Sequence, residues 1–137
     1  MNELFDTSVW IEFLRGTEST ASRYVGSRLV SDPSTIAITE PVTMELLAGP
    51  TNELALVKIA QLVDSLALVR IVPALDFPAA AALHRAARQN GRTVRKLNDC
   101  LIAAVAIRTD SVLVHRDADF DVVASISDLR TRSFIEP

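Results

Sequence analysis

The chain has 137 residues, of which 49% are hydrophobic and 23% charged, with a formal net charge of −3. That is one domain's worth of ordinary globular sequence, long enough to bury a core. Its longest apolar runs fall short of the roughly 20 residues needed to span a bilayer, and its mild acidity excludes a nonspecific nucleic-acid coat while leaving room for a local basic face.

"ELF" (Glu3 to Phe5) predicts a short strand ending at Asp6. "TSVWIEFLR" then sets Val9, Trp10 and Phe13 at helical spacing and stops before Gly16. A second helix is expected over Ala21 to Val30. The β-branched "TIAIT" (Thr35 to Thr39) reads as a strand, and Pro41 opens a helix that stops at Gly49-Pro50. "ELALVKIAQLVDSL" (Glu53 to Leu66) gathers Leu54, Val57, Leu62 and Leu66 near one helical side, and "LVRIV" (Leu68 to Val72) is a strand. An Ala-rich helix is expected over Asp76 to Asn90, ended by Gly91. The next helix, Asn98 to Arg108, is apolar nearly all round, as suits a helix packed in the middle of a layer. "SVLVH" (Ser111 to His115) is a strand, and "RSFI" (Arg132 to Ile135) is a short last one.

No repeat, low-complexity tract or linker divides this series, so one domain is expected over residues 1–137. The opening "MNELFDTSVW" lacks the basic start and apolar stretch of a secretory signal. A single Cys permits no internal disulfide, which agrees with a cytoplasmic location. Strands that alternate with helices predict an α/β fold, a central parallel sheet covered on both faces. Ligands in that architecture bind beyond the carboxyl ends of the strands.

Four carboxylates fall at that edge. Asp6 follows the first strand directly, Asp117 lies two residues after "SVLVH", Asp99 starts the apolar helix, and Glu45 lies in the helix after "TIAIT". Two unit negative charges 4 Å apart repel by about 4 kcal/mol at an effective dielectric of 20. Such a cluster calls for a hard cation such as Mg²⁺ or Mn²⁺, or for protonation of some members. Taken singly, each residue has a plainer role. Asp6 suits a helix N-cap, Asp99 a first-turn charge on a helix dipole, Glu45 a solvated helix face and Asp117 a loop. Their common edge favours the cation. "DADFD" (Asp117 to Asp121) imitates the start of a calcium-binding EF-hand loop. It fails because Val122 stands where Gly is needed, Asp128 where Glu is needed, and a strand precedes it.

From Phe77 to Asn98 there is no acidic residue and there are five basic ones: Arg85, Arg88, Arg92, Arg95 and Lys96. The plain reading is a solvated helix face and turn; the functional one is a phosphate-backbone track leading to Asp99, which Arg15, Arg23 and Arg28 can extend. His84 and His115 lie in no metal-ligand spacing and are read as structural. Cys100 has no base beside it and is read as small core filler. No Gly-rich phosphate loop is present, which argues against a nucleoside-triphosphate enzyme.

"DTSVWIEFL", "EPVTMELLAG", "GRTVRKLNDCLIAAVAI" and "LVHRDADFD" occur in this order along essentially the whole chain. Together they resemble PIN-domain proteins, and most of all the VapC-type toxins of type II toxin–antitoxin pairs. The resemblance implies a three-layer α/β/α sandwich and an Mg²⁺- or Mn²⁺-dependent endoribonuclease. Its acidic quartet maps onto Asp6, Glu45, Asp99 and Asp117, with Asp6, Asp99 and Asp117 on the metal. Asp119 matches an additional acidic position. Thr7 and Ser8 match polar residues that orient the first aspartate or a water, and Glu40, which lies before Pro41 and one helical turn from Glu45, would be an auxiliary acid. Also implied are a structured RNA substrate such as tRNA or rRNA, inhibition of translation, a homodimer, and a VapB-type antitoxin. Two alternatives stand beside it: a PIN-fold binding module without catalysis, and a receiver-like signalling domain. The latter wants an acidic pair after the first strand, an aspartate ending a middle strand and a lysine after "SVLVH", and none of these is present.

Overall fold

A computed structural model describes residues 2–136. Strand β1 (Glu3–Phe5) runs into helix α1 (Thr7–Leu14), whose N-cap is Asp6, and α2 (Thr20–Ser31) follows, capped by the Ser19 hydroxyl. A single 3₁₀ turn (Pro33–Thr35) leads into β2 (Ile36–Ile38). Then come α3 (Glu40–Ala48), α4 (Glu53–Ser65) with Asn52 as its cap, and β3 (Ala67–Leu68). The second half holds α5 (Pro73–Gln89), α6 (Leu97–Arg108), β4 (Val112–His115), α7 (Ala118–Ser125) and β5 (Arg130–Ser133). Among the described residues no helix is long and apolar enough to cross a membrane.

The five strands form one sheet in the order β3-β2-β1-β4-β5, every pair parallel. The chain moves outward from β1 to β2 and β3, then returns across the sheet to β4 and β5. Right-handed crossovers in opposite directions put α1 to α4 on one face and α5 to α7 on the other. Helix contacts agree: α1 packs on α2 and α3, whereas α6 packs on α5 and α7. The expected three-layer sandwich is therefore the observed one.

Leu4, Phe5, Ile36, Ile38, Leu113 and Val114 of the strands are wholly or almost wholly buried, with Trp10, Val25, Val42, Ile102 and Phe120 of the helices packed on them. Every residue of α6 from Asp99 to Ala106 is buried. Each large apolar side chain here contributes about 1.5–3 kcal/mol, and the alanines let α5 and α6 approach closely.

Four elements differ from the sequence expectation. The strand expected over Leu68 to Val72 ends at Leu68, one ladder-type bond continuing from the Val69 N–H to the Ile38 carbonyl. Beyond it the backbone N–H groups turn to side chains: Ile71 donates to Glu40 and Val72 to Asp76. Helix α5 begins at Pro73 rather than Asp76, since a first-turn proline loses no helical bond. Helix α7 was not expected at all, and β5 sits two residues earlier than "RSFI" suggested.

Candidate active site

The strand order reverses between β1 and β4, and the side chains at issue gather beyond the carboxyl ends of those two strands. Asp6 ends β1 and caps α1, accepting the Ser8 N–H at 2.9 Å. Asp117 performs the same service for α7, accepting the Asp119 N–H at 3.0 Å. The two loops are tied together, because the Arg116 N–H donates to the Ser8 hydroxyl at 2.8 Å and the Arg116 guanidinium pairs with Glu12. Beneath them lies His115, fully buried, whose Nδ1 accepts the Asp117 N–H at 3.1 Å. Burial holds that imidazole below the usual histidine range, and its Nε2 faces Asp121 at 3.4 Å without an aligned hydrogen bond.

Asp99 enters from the first turn of α6. Ligand oxygens of Asp99, Asp117 and Asp119 all lie within 4.8 Å of one another. Oδ2 of Asp99 is buried and has no hydrogen-bond partner, an expensive arrangement for an ionised carboxylate. Burial, followed by the charges of Asp6 and Asp117, pushes its carboxyl up to about 7. Burial also raises Asp6, with the Ser8 hydroxyl and amide pulling the other way.

Glu45 faces the same space from α3. Its Oε1 accepts from the Thr7 hydroxyl at 3.2 Å and from the Asn98 amide at 3.3 Å. Burial and then the Asp6 charge raise its carboxyl, offset in part by Thr7. Three converging carboxylates, a fourth coupled to them and one bare oxygen form an all-oxygen donor set. That set fits a hard divalent cation: the oxygens of Asp99, Asp117 and Asp119 are the ones that converge, and Asp6 stands near enough for its charge to act on Asp99.

Residues 4–126 match the PIN-domain family. The chain is 47% identical over 131 residues to Ribonuclease VapC11 of Mycobacterium tuberculosis and, to the same degree, to VapC ribonuclease Mb1587 of Mycobacterium bovis. Both alignments cover 96% of this chain and 98% of the relative. The chain belongs to the VapC ribonucleases of the PIN-domain family. It is a ribonuclease of that class. Its fold is similar to VapBC2 from Rickettsia felis bound to a promoter DNA fragment (TM-score 0.76, 23% identity, 97% of this chain and 98% of that one). It is similar also to VapBC-1 from nontypeable Haemophilus influenzae (TM-score 0.74, 18% identity, 98% of each chain).

Asp6, Glu45, Asp99 and Asp117 thus come from four places in the chain and are coupled through their charges, with Thr7, Ser8 and Asn98 hydrogen-bonded between them. The Thr7 hydroxyl serves Glu45 while its backbone acts on Asp6, and Ser8 serves Asp6 through its amide and hydroxyl and accepts the Arg116 N–H of the Asp117 loop. Glu40 departs from expectation. Its carboxylate accepts the Ile71 N–H at 2.8 Å and the Thr39 hydroxyl at 3.3 Å and lies 4.0 Å from Arg70, so it anchors the segment after β3. The Leu68-to-Val72 run had hidden that need for an acceptor. Asp119 accepts both the backbone N–H and Nε of Arg95. Asn98 was missed, and its place one residue before Asp99 was the available signal. Arg85, Arg88, Arg92 and Lys96 are all exposed and form no ion pair among the described residues.

Proposed function

We propose that the chain cuts structured RNA, tRNA or rRNA, by Mg²⁺- or Mn²⁺-dependent phosphodiester hydrolysis at the site formed by Asp6, Glu45, Asp99 and Asp117. The observation that carries this reading is the bare, buried Oδ2 of Asp99 amid other carboxylates. A capping role leaves that oxygen unexplained; a cation explains it.

Asp6, Asp99 and Asp117 are the ligands in this reading, with Asp119 in support through its hold on the Asp117 side of the cluster. When bound, the ion supplies Lewis acidity toward the phosphodiester and makes an attacking water more acidic. Glu45 is the group that accepts that water's proton: burial and the Asp6 charge make it a stronger base than an ordinary glutamate. Thr7 and Asn98 fix the Glu45 carboxylate, and Ser8 fixes Asp6. The exposed strip Arg85, Arg88, Arg92, Arg95 and Lys96 tracks the RNA backbone, and single-stranded loops with splayed bases suit such a site best.

The rest of the reading follows the family. The chain works as one PIN unit over residues 1–137, in the cytoplasm, as a homodimer held inactive by a VapB-type antitoxin, and its free form inhibits translation. The solved neighbours named above as VapBC pairs support the antitoxin partner.

The deciding experiment is cleavage of total RNA by purified protein with Mg²⁺ or Mn²⁺, beside EDTA and an Asp6→Ala variant prepared identically. Discrete fragments that vanish in both controls, with ends mapped by sequencing, are expected. Equal cleavage by the variant would remove these carboxylates from the reaction.

A further inference from the structure

Of the five basic residues in the strip, Arg95 alone is engaged with carboxylates. It lies in the turn between α5 and α6, near whose start Gly91 takes a φ of +70° and which Lys96, the N-cap of α6, ends. Its backbone N–H reaches Oδ2 of Asp119 at 3.2 Å, and its Nε reaches the same oxygen at 3.1 Å. The guanidinium NH2 stands 3.6 Å from Oδ1 of Asp117. Two of the three carboxylates that converge within 4.8 Å therefore already face a cation.

Two features make that cation removable. The Arg95 side chain is 71% exposed, against 10% for Asp119 and 23% for Asp117. It is held by charge and one hydrogen bond from Nε, and an ion pair this open to water is weak. The backbone N–H of Arg95 stays on Asp119 if the side chain leaves, so the carboxylate keeps an anchor. The third member, Asp99, feels the Arg95 charge without a hydrogen bond from it, and its Oδ2 remains bare.

We infer that Arg95 is a built-in competitor of the divalent ion, a side chain that neutralises Asp117 and Asp119 until metal displaces it. The inference rests on the metal-dependent reading above. A positive group at this distance opposes a doubly charged ion more strongly than it opposes any monovalent one. Displacement would return Arg95 to the RNA-tracking strip at the moment the site becomes competent, so metal loading and substrate grip are linked through one residue.

The opposite possibility is that Arg95 positions Asp117 and Asp119, and the two differ in sign. Calorimetric titration of the full chain with MnCl₂ separates them. Arg95→Gln is expected to bind Mn²⁺ about five- to tenfold more tightly than wild type. Arg95→Lys, which keeps the charge, should stay near wild type. Arg92→Gln, a neighbour in the same strip with no carboxylate partner, should leave Mn²⁺ affinity unchanged. Unchanged or weaker binding by Arg95→Gln would overturn the inference, and so would an equal gain in Arg92→Gln, which would mark a diffuse effect of net charge. If wild type and all variants bind no Mn²⁺, the metal-dependent reading itself falls, and this inference with it.

Discussion

Burial pushes the Asp99 carboxyl up to about 7, and the Asp6 and Asp117 charges act in the same direction. Between the ordinary aspartate value of 3.8 and about 7, the metal-free folded chain keeps a proton that the unfolded chain has released. For this group stability is therefore fully present below pH 3.8 and is lost as pH rises through 7. Asp99→Asn removes that loss. Its metal-free melting temperature is expected to exceed wild type by about 3–6 °C at pH 8, with a smaller gap at pH 5. Mn²⁺ should raise the wild-type value and leave the variant unmoved. Melts at the two pH values, with and without metal, make the comparison. A lower melting temperature for the variant at pH 8 would return Asp99 to a helix-dipole role. Glu45 gives a second test at this scale. The Thr7 hydroxyl lowers its carboxyl, so Thr7→Val should move the acid limb of the rate–pH profile upward and slow single-turnover cleavage about tenfold at neutral pH. A limb that does not move would separate Glu45 from the proton transfer.

At the scale of elements, α5 and α6 are clamped at one end. Asp76, 1% exposed, accepts Arg108 Nε at 2.8 Å, Arg108 NH2 at 2.9 Å and the Val72 N–H at 2.8 Å. Burial raises its carboxyl, but the Arg108 and Val72 hydrogen bonds outweigh burial and hold it below the usual range. That stability is present above the ordinary aspartate value and lost as pH falls through the depressed one. Asp76→Ala is expected to cost about 2 kcal/mol, read by urea denaturation at pH 7, because it removes the buried carboxylate that accepts three hydrogen bonds, while the exposed Arg108 can turn to water. A loss below about 1 kcal/mol would show that the helices hold without the clamp. The same segment marks where the sequence stopped being legible. "LVRIV" has the composition of a strand, yet its later N–H groups go to Glu40 and Asp76, partners that no local pattern displays. Helix α7 is a different case. Asp117 as N-cap with Asp119 and Asp121 in the first turn is a helix start written in the chain, masked by its likeness to a calcium loop. The placement of Asp6, Asp99 and Asp117 at one edge was readable because strand ends are readable. The Thr7–Glu45–Asn98 contacts were not, since they join α1, α3 and α6 only once the sheet has set their spacing.

Across the molecule, an acidic chain carries a basic face on α5 and the turn after it. RNA binding should therefore fall steeply with salt. Arg88→Ala and Arg92→Ala should each weaken affinity for a short RNA hairpin across sequences and reduce the salt slope by about one, measured by anisotropy in EDTA. Unchanged slopes would put the RNA on another face. The site, meanwhile, depends on β1 lying beside β4, a parallel pairing between Glu3–Phe5 and Val112–Val114. The chain closes that contact across more than a hundred residues, which makes it among the slower and less local events of folding. Asp6 and Asp117 sit on its two sides, so a chain with either half frayed has carboxylates but no cluster. The cluster is thus a property of the completed sheet: a chain with either end pulled loose keeps every one of these carboxylates and loses their convergence.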